Sequence, residues 1–339
     1  MKRIIALCDY KGRFGSRHFD KPYRSGMNKD KLYTMFLQNG YQLEFIKLCD
    51  IDLIQNNYKD SLIIYTSIED PDYHYKSFIE DVVYGLELSD AIIIPQYKHL
   101  KANNNKVFME MLRSINKLSN NLQALSFSTP EEVRSNIDKI KFPCVFKKSE
   151  GASGTGVFLV KNESELYRCI KKHCRTANFR EDIRDIARSF RHKAYIKESL
   201  YRSKFIIQEF VPGLINDWKI YIFGNKYYII NRPLQKGRGI KASGGGYINY
   251  LYGNNAEAPD GIFDFAKTIF DNLKVPHLSL DIGFDGRNFY LFEFQSLYFG
   301  TAGVIYSDGF YQKKESSWEF VDKKHEIENI YVDSICMFI

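Results

Sequence analysis

The chain has 339 residues, enough for two or three domains, and 44% of them are hydrophobic, enough for real cores. Its net charge of +7 suits anionic ligands but falls well short of a nucleic-acid-binding signature. No apolar run approaches the roughly 18 residues needed to span a bilayer, and the opening MKRIIALCDYKG lacks the apolar core of a signal peptide. Cys8, Cys49, Cys144, Cys169, Cys174 and Cys336 show no CxxC or metal-ligand pairing. Free thiols in a reducing, cytoplasmic setting are therefore expected.

Up to Pro95 the chain alternates strand and helix signals. Arg3–Cys8 is a short apolar strand, and Lys29–Gln38 fits a helix that Asn28 caps. Gln42–Ile46 and Ser61–Thr66 read as strands, Tyr75–Leu88 has helical spacing, and Ala91–Ile94 is a buried strand stopped by Pro95. Such alternation predicts a parallel sheet covered by helices. Between the first strand and helix, Tyr10 to Gly26 carries Lys11, Arg13, Arg17, Lys21 and Arg24 plus His18, against a single Asp20. A loop at the carboxyl end of such a strand is a favoured ligand position, and arginine's planar fork suits carboxylate or phosphate. Arg13, Arg17 and Arg24 are therefore candidates for an anionic substrate, with a solvated basic loop as the alternative.

Further along, Phe142 to Val160 (FPCVFKKSEGASGTGVFLV) reads as a strand with two lysines, a glycine loop and another strand. Glycine tolerates the dihedrals that turn successive backbone N–H groups toward a phosphate. No Gly-Lys-Ser/Thr follows, so the loop is not a Walker A motif, and the strand after it excludes a dinucleotide fingerprint. From Arg175 to Lys204 the chain is basic again: Arg180, Arg184, Arg188 and Arg191 recur at helical spacing opposite Phe179, Ile183, Ile186 and Phe190. That spacing predicts an ordinary amphipathic helix with a charged outer face, or else an arginine stripe overhanging a ligand cleft. FIIQEFVPG (Phe205 to Gly213) is a strand ending in a Pro-Gly turn, and Asp217 to Gly224 is another strand. Gln235 to Tyr250 is rich in glycine and cations.

Asp281 to Gln295 (DIGFDGRNFYLFEFQ) predicts a hairpin turning at Asp285-Gly286. Side chains alternate along a strand, so Glu293 and Gln295 share a face, and the partner strand can bring Asp281 beside them. Two carboxylates and an amide oxygen suit Mg²⁺, while a solvated acidic face is the plain alternative. The rest, SLYFGTAGVIYSDGFY and SSWEFVDKKHEIENIYVDSI, reads as one or two helices packing back on the body.

In this order and spacing, the lysine strand with its glycine loop, the QEFVPG segment and the acidic hairpin resemble the ATP-grasp superfamily of carboxylate–amine ligases over about residues 105–300. The resemblance implies an α/β (α+β) chain with the ATP-grasp fold. Residues 1–104 would form a Rossmann-like domain, 105–204 a central subdomain with the glycine loop and helical insert, and 205–339 a C-terminal subdomain with hinge and metal site.

Carried over by position, the resemblance implies ATP contacts from Lys106, Lys147, Gly151, Ser153, Gly154, Thr155 and Gly156. It implies an adenine hinge at Glu209, Phe210 and Val211, with Glu209 or Asp217 holding the ribose. Lys219, Arg232, Arg238 and Lys241 would contact phosphate or substrate. Asp281, Glu293 and Gln295 would hold one or two Mg²⁺ ions, with Mn²⁺ as a substitute. Two departures stand out: Lys148 follows Lys147 where the family commonly has proline, and Gln295 stands where it usually has asparagine.

The implied reaction joins a small anionic carboxylate to an amine through an acyl phosphate, releasing ADP and phosphate. An amino acid or a cell-surface polysaccharide precursor is the suggested substrate class. The rivals are a kinase of the same fold and an ATP-binding regulator without turnover. A nucleic-acid partner is not expected; the oligomeric state is left open, and the resemblance admits a homodimer.

Overall fold

The computed structural model describes residues 1–15, 25–68, 70–118, 121–151, 154–234 and 249–339. Its first layer contains β1 (Lys2–Cys8), α1 (Lys29–Gln38), β2 (Tyr41–Lys47), β3 (Leu62–Tyr65), α2 (His74–Leu88), β4 (Ile92–Ile94) and α3 (Tyr97–Ala102). The strands form a parallel sheet in the order β2-β1-β3-β4. Five successive residues of β1 are buried, as expected for a strand covered on both faces. The Asn28 side chain accepts hydrogen bonds from the Asp30 and Lys31 backbone N–H groups, so α1 starts where its cap predicts.

The second layer holds α4 (Lys106–Ile115), β5 (Ala124–Phe127), α5 (Pro130–Arg134), β6 (Cys144–Lys148), β7 (Val157–Val160), α6 (Glu163–His173), α7 (Phe179–Arg191) and β8 (Phe205–Glu209). Its antiparallel sheet runs β5-β8-β6-β7. The boundary expected at 204/205 falls one strand early, because β8 pairs with both β5 and β6 and so belongs to this sheet.

The third layer comprises β9 (Asn216–Phe223), β10 (Lys226–Pro233), β11 (Leu251–Tyr252), α8 (Ile262–Leu273), β12 (His277–Phe284), β13 (Phe289–Gln295), α9 (Ala302–Tyr306), β14 (Phe310–Lys314), β15 (Ser317–Val321) and α10 (Ile327–Phe338). Its sheet runs β13-β12-β9-β10-β14-β15, with β11 also on β10. The expectation of only helices after the acidic hairpin is corrected here. The SSWEFV stretch alternates in the strand period and folds back on β14 as β15.

The two faces of the third sheet have different coats. Trp218, Ile220, Ile222 and Leu280 pack with α8. On the other face Tyr221, Phe223, Tyr228 and Ile230 share a core with α10 and the β1 residues Ile4 and Ala6. That second face carries Asp217 and Lys219 at its far end, by the two-residue period of β9.

Helix α4 is the crosspiece of the molecule, contacting β5 and β8 of the second sheet and β13 of the third. Its inward face is charged: Lys106, Glu110 and Arg113 are all buried. Arg113 Nε lies 2.9 Å from Glu110 Oε2. The same guanidinium donates to the backbone carbonyls of Leu291 and Phe292. Those carbonyls sit at a bulge: Asp281 faces Glu293, the next pair is Ile282 with Leu291, and Phe292 is the residue left over. Gly283 makes room for it, since a Cβ there would come 2.5 Å from the Phe292 ring.

Removing one member of a buried ion pair strands the other, which costs about 3–5 kcal/mol. Arg113→Met should therefore lower unfolding free energy in urea by about that amount, and Glu110→Met added to it should recover most of the loss. A single-variant loss of under about 1 kcal/mol would mean Arg113 does not hold the hairpin.

Candidate active site

Lys106 opens α4 and stands between two elements that the sequence separates widely. Its backbone N–H donates to Ser149 O at 2.9 Å, fastening the helix start to the strand that enters the glycine loop. Its Nζ donates to Gly151 O at 3.2 Å and lies 4.0 Å from Glu293 Oε2. One buried ammonium thus touches both the glycine loop and the acidic hairpin.

Lys147 comes from β6, and its Nζ lies 5.6 Å from the centre of the Phe292 ring, the residue extruded by the bulge. Burial pushes its pKa down from 10.5 to about 8, against the pull of Glu110 and Glu293, while Lys106 and Arg113 add repulsion. The loop that follows uses glycine where the backbone demands it, with φ of +115° at Gly151 and +69° at Gly154. Gly154 O accepts from Val157 N at 3.3 Å and Gly156 O from Lys148 N at 2.9 Å, so the loop closes as a hairpin between β6 and β7. Gly151 N donates to the Tyr73 hydroxyl at 3.1 Å, which ties the loop to the first layer.

Across the third sheet runs a strip of alternating charge. Arg232 on β10 faces Asp217 on β9, Lys219 on β9 faces Asp281 on β12, and Asp281 faces Glu293 on β13. Arg232 Nε lies 2.6 Å from Asp217 Oδ1 and its Nη2 lies 3.1 Å from Asp281 Oδ2. Lys219 Nζ is 2.8 Å from Asp281 Oδ1. Burial opposes ionisation of Asp281, yet Arg232 and Lys219 outweigh it and hold the carboxyl well below the usual range. Asp217 moves the other way, because burial pushes its carboxyl up against the pull of Arg232.

Gln295 lies two residues beyond Glu293 on the same face, and its Nε2 donates to Asn104 Oδ1 at 3.4 Å. That leaves the amide oxygen for a ligand. Among the described residues no group of three His, Cys, Asp or Glu is arranged to hold a metal. Two carboxylates and one amide oxygen fit Mg²⁺, which keeps several sites for waters and phosphate oxygens.

Glu209 closes β8. Its backbone N–H donates to Gln123 O at 3.0 Å, and its carboxylate stands 3.5 Å from Lys141 Nζ. Phe210 and Val211 follow directly, with Val211 buried. Of the three candidate substrate arginines only Arg13 is described, and it is paired: Asp9, itself buried, takes its Nη2 at 2.6 Å and Nε at 2.8 Å. Ser153, Arg17, Arg24, Arg238 and Lys241 lie outside the described residues.

Sequence reasoning missed Glu110, Arg113, Asn104 and Tyr73. The first two carried a signal, since they sit four and seven residues beyond Lys106 and so share its helix face. Tyr73 and Asn104 carried none, because only the fold brings them to the loop and the hairpin.

Comparison with known proteins bears on the fold. Residues 102–195 match the model of the RimK-like ATP-grasp domain. No curated protein sequence matches the chain. Among solved structures, D-cycloserine synthetase DcsG superposes with a TM-score of 0.55 at 10% identity, covering 98% of each chain. The N5-carboxyaminoimidazole ribonucleotide synthetase purK in its ADP complex gives 0.51 at 12%, covering 91% of this chain and 73% of that one. The N5-carboxyaminoimidazole synthetase of Staphylococcus aureus with ADP gives 0.51 at 11%, covering 94% and 80%.

The depressed Lys147 sets a pH dependence. Below about pH 8 the side chain is a cation and above it is neutral, so affinity for a triphosphate anion should fall as pH rises through that value. Calorimetric titration should show a weakening of about tenfold between about pH 7 and about pH 9, and Lys147→Met should bind weakly at both. A flat profile in the native protein would contradict the assignment.

Proposed function

On the premise that this chain has the ATP-grasp fold, we propose that it is an ATP- and Mg²⁺-dependent ligase that joins a small carboxylate to an amine and releases ADP and phosphate. The observation that carries this reading is Lys106, whose ammonium touches the glycine loop and Glu293 together. A triphosphate laid along that line meets cations and backbone donors on one side and oxygen ligands on the other. The cytoplasm is the setting that fits, and residues 1–104 supply the wall on which an acceptor substrate rests.

Each group has a role. Gly151, Gly154, Thr155 and Gly156, with Ser153, cradle the phosphates through the loop backbone, and Lys106 and Lys147 neutralise them. Glu209, Phe210 and Val211 form the adenine hinge. Either Glu209 or Asp217 takes the ribose, since Lys141 stands beside the first and Arg232 beside the second. Asp281, Glu293 and Gln295 would hold Mg²⁺, which when bound neutralises charge on the phosphate oxygens. Arg232 and Lys219 keep Asp281 ionised for that task and border the space where the transferred phosphoryl group lies. Arg238 and Lys241 are assigned to neutralise phosphate charge and Arg13, Arg17 and Arg24 to receive the anionic substrate, Arg13 by exchanging its bond to Asp9.

The chemistry is positioning and charge neutralisation. A carboxylate oxygen attacks the γ-phosphorus, its bond to the ADP oxygen breaks, and an acyl phosphate remains. The amine nitrogen then attacks the acyl carbon, phosphate leaves with the C–O electron pair, and the amine sheds a proton to solvent.

Hydroxylamine tests the first step. With ATP, Mg²⁺ and a panel of amino acids and sugar acids, an accepted acid should yield a hydroxamate in amounts matching ADP. ADP release with a stable phosphate ester and no hydroxamate would make the protein a kinase. No ADP release with any acid would favour a regulator that binds ATP without turnover.

A further inference from the structure

Helix α7 is mounted the wrong way round for a globular protein. Asn178 and Glu181 form a capping box, so the helix is built to form. Yet its apolar stripe does not pack: Phe179 is 77% exposed, Ile183 51%, Ile186 48% and Phe190 86%. These four recur at i, i+4, i+7 and i+11, within one narrow sector of the helix. What faces the body instead is acid. Asp185 is buried and accepts from the Tyr195 hydroxyl at 2.5 Å, and Asp182 is 2.5 Å from Arg175. Arg180, Arg184, Arg188 and Arg191 are exposed along with the stripe. The expectation of an apolar face packed inward is therefore overturned.

The charge is concentrated at the same place. Residues 171–204 hold eleven Lys or Arg and four Asp or Glu, a net +7, which equals the net charge of the entire chain. The remaining residues balance.

We propose that α7 is a membrane-surface helix that lays its apolar stripe into the headgroup boundary of an anionic lipid bilayer while the flanking arginines meet lipid phosphates. A helix with a strong apolar stripe, a basic flank and few apolar residues elsewhere is the form that lies in that interface. Charge complementarity selects the occupant: a second copy of this face would bring +7 against +7, whereas an anionic surface neutralises it. Shape agrees, since Phe179 and Phe190 protrude at the two ends of the stripe, about 16 Å apart along the axis. The cavity beside the helix is lined by Glu181, Arg184, Asp185 and Arg188 and by Glu198 and Arg202, not by the stripe, so no apolar groove for a peptide accompanies it. Among the described residues no helix is long and apolar enough to cross a membrane, so the contact is peripheral.

Co-sedimentation of the full chain with vesicles tests this without nucleotide or substrate, and so independently of the proposed ligase reaction. Vesicles of equimolar phosphatidylglycerol and phosphatidylcholine should bind the protein, with affinity that falls steeply as salt is added, and phosphatidylcholine vesicles should not. Phe179→Ser with Phe190→Ser, both solvent-facing, should cut partition at least about tenfold with an unchanged unfolding midpoint. Arg180→Gln with Arg191→Gln should remove the preference for anionic lipid. Failure of the native chain to bind anionic vesicles overturns the proposal, as does binding indifferent to the phenylalanine pair. A dimer in lipid-free solution that the same pair abolishes would assign the stripe to self-association instead.

Discussion

A single buried ammonium, that of Lys106, holds the glycine loop and the acidic hairpin at a fixed separation, and the arrangement of the cleft follows from it. Around it lies further charge: Glu110 and Arg113 on the crosspiece helix and Arg232 on the third sheet are buried, while Lys147 on the second sheet and Asp217, Lys219 and Asp281 on the third are half-buried. Such groups are poor sources of stability, because desolvation consumes most of what their attraction returns. Packed apolar residues in the same strands would serve the fold better. On the proposed reading they are kept for a triphosphate and its metal ion, whose charges complete the set.

Architecture supplies the precision. The loop, the hairpin and the hinge sit on three separate pieces of chain, and α4 connects all of them by resting on β5, β8 and β13. Arg113 reaches from that helix to the carbonyls at the β13 bulge, and the bulge turns the Phe292 ring toward the Lys147 ammonium. The apolar half of the same sheet face, sealed by α10 and β1, keeps the strip from being an ordinary solvated surface. Charged residues at one end of a face whose other end is core are held rigid by their neighbours, which is what the proposed catalytic role requires.

Much of this was legible in the sequence wherever local pattern carried the information. The alternation in FYLFEFQ and the Asp-Gly turn define the hairpin, but it is the bulge at Phe292, which alternation does not announce, that sets Asp281 opposite Glu293. The glycine loop and the Asn28 cap are equally local. What escaped was non-local. The spacing in NKVFMEMLRSI puts Lys106, Glu110 and Arg113 on one helix face, but only β13 beside it shows that this face is buried. The SSWEFV strand was hidden because its alternation is short and β14 completes it. Helix α7 misled for the opposite reason: its periodicity is faithful to the sequence, but its apolar side faces away from the body.

The central claim is that Lys147 and Glu293 act on one triphosphate from opposite sides. A double-mutant cycle measures it directly, with Lys147→Met, Glu293→Gln and the combination, reading calorimetric affinity for a non-hydrolysable ATP analogue with Mg²⁺. The two effects should couple by at least about 1 kcal/mol, because either loss alone displaces the phosphates that the other holds. Effects that simply add, to within about 0.3–0.5 kcal/mol, would place the two side chains in separate sites and contradict the account.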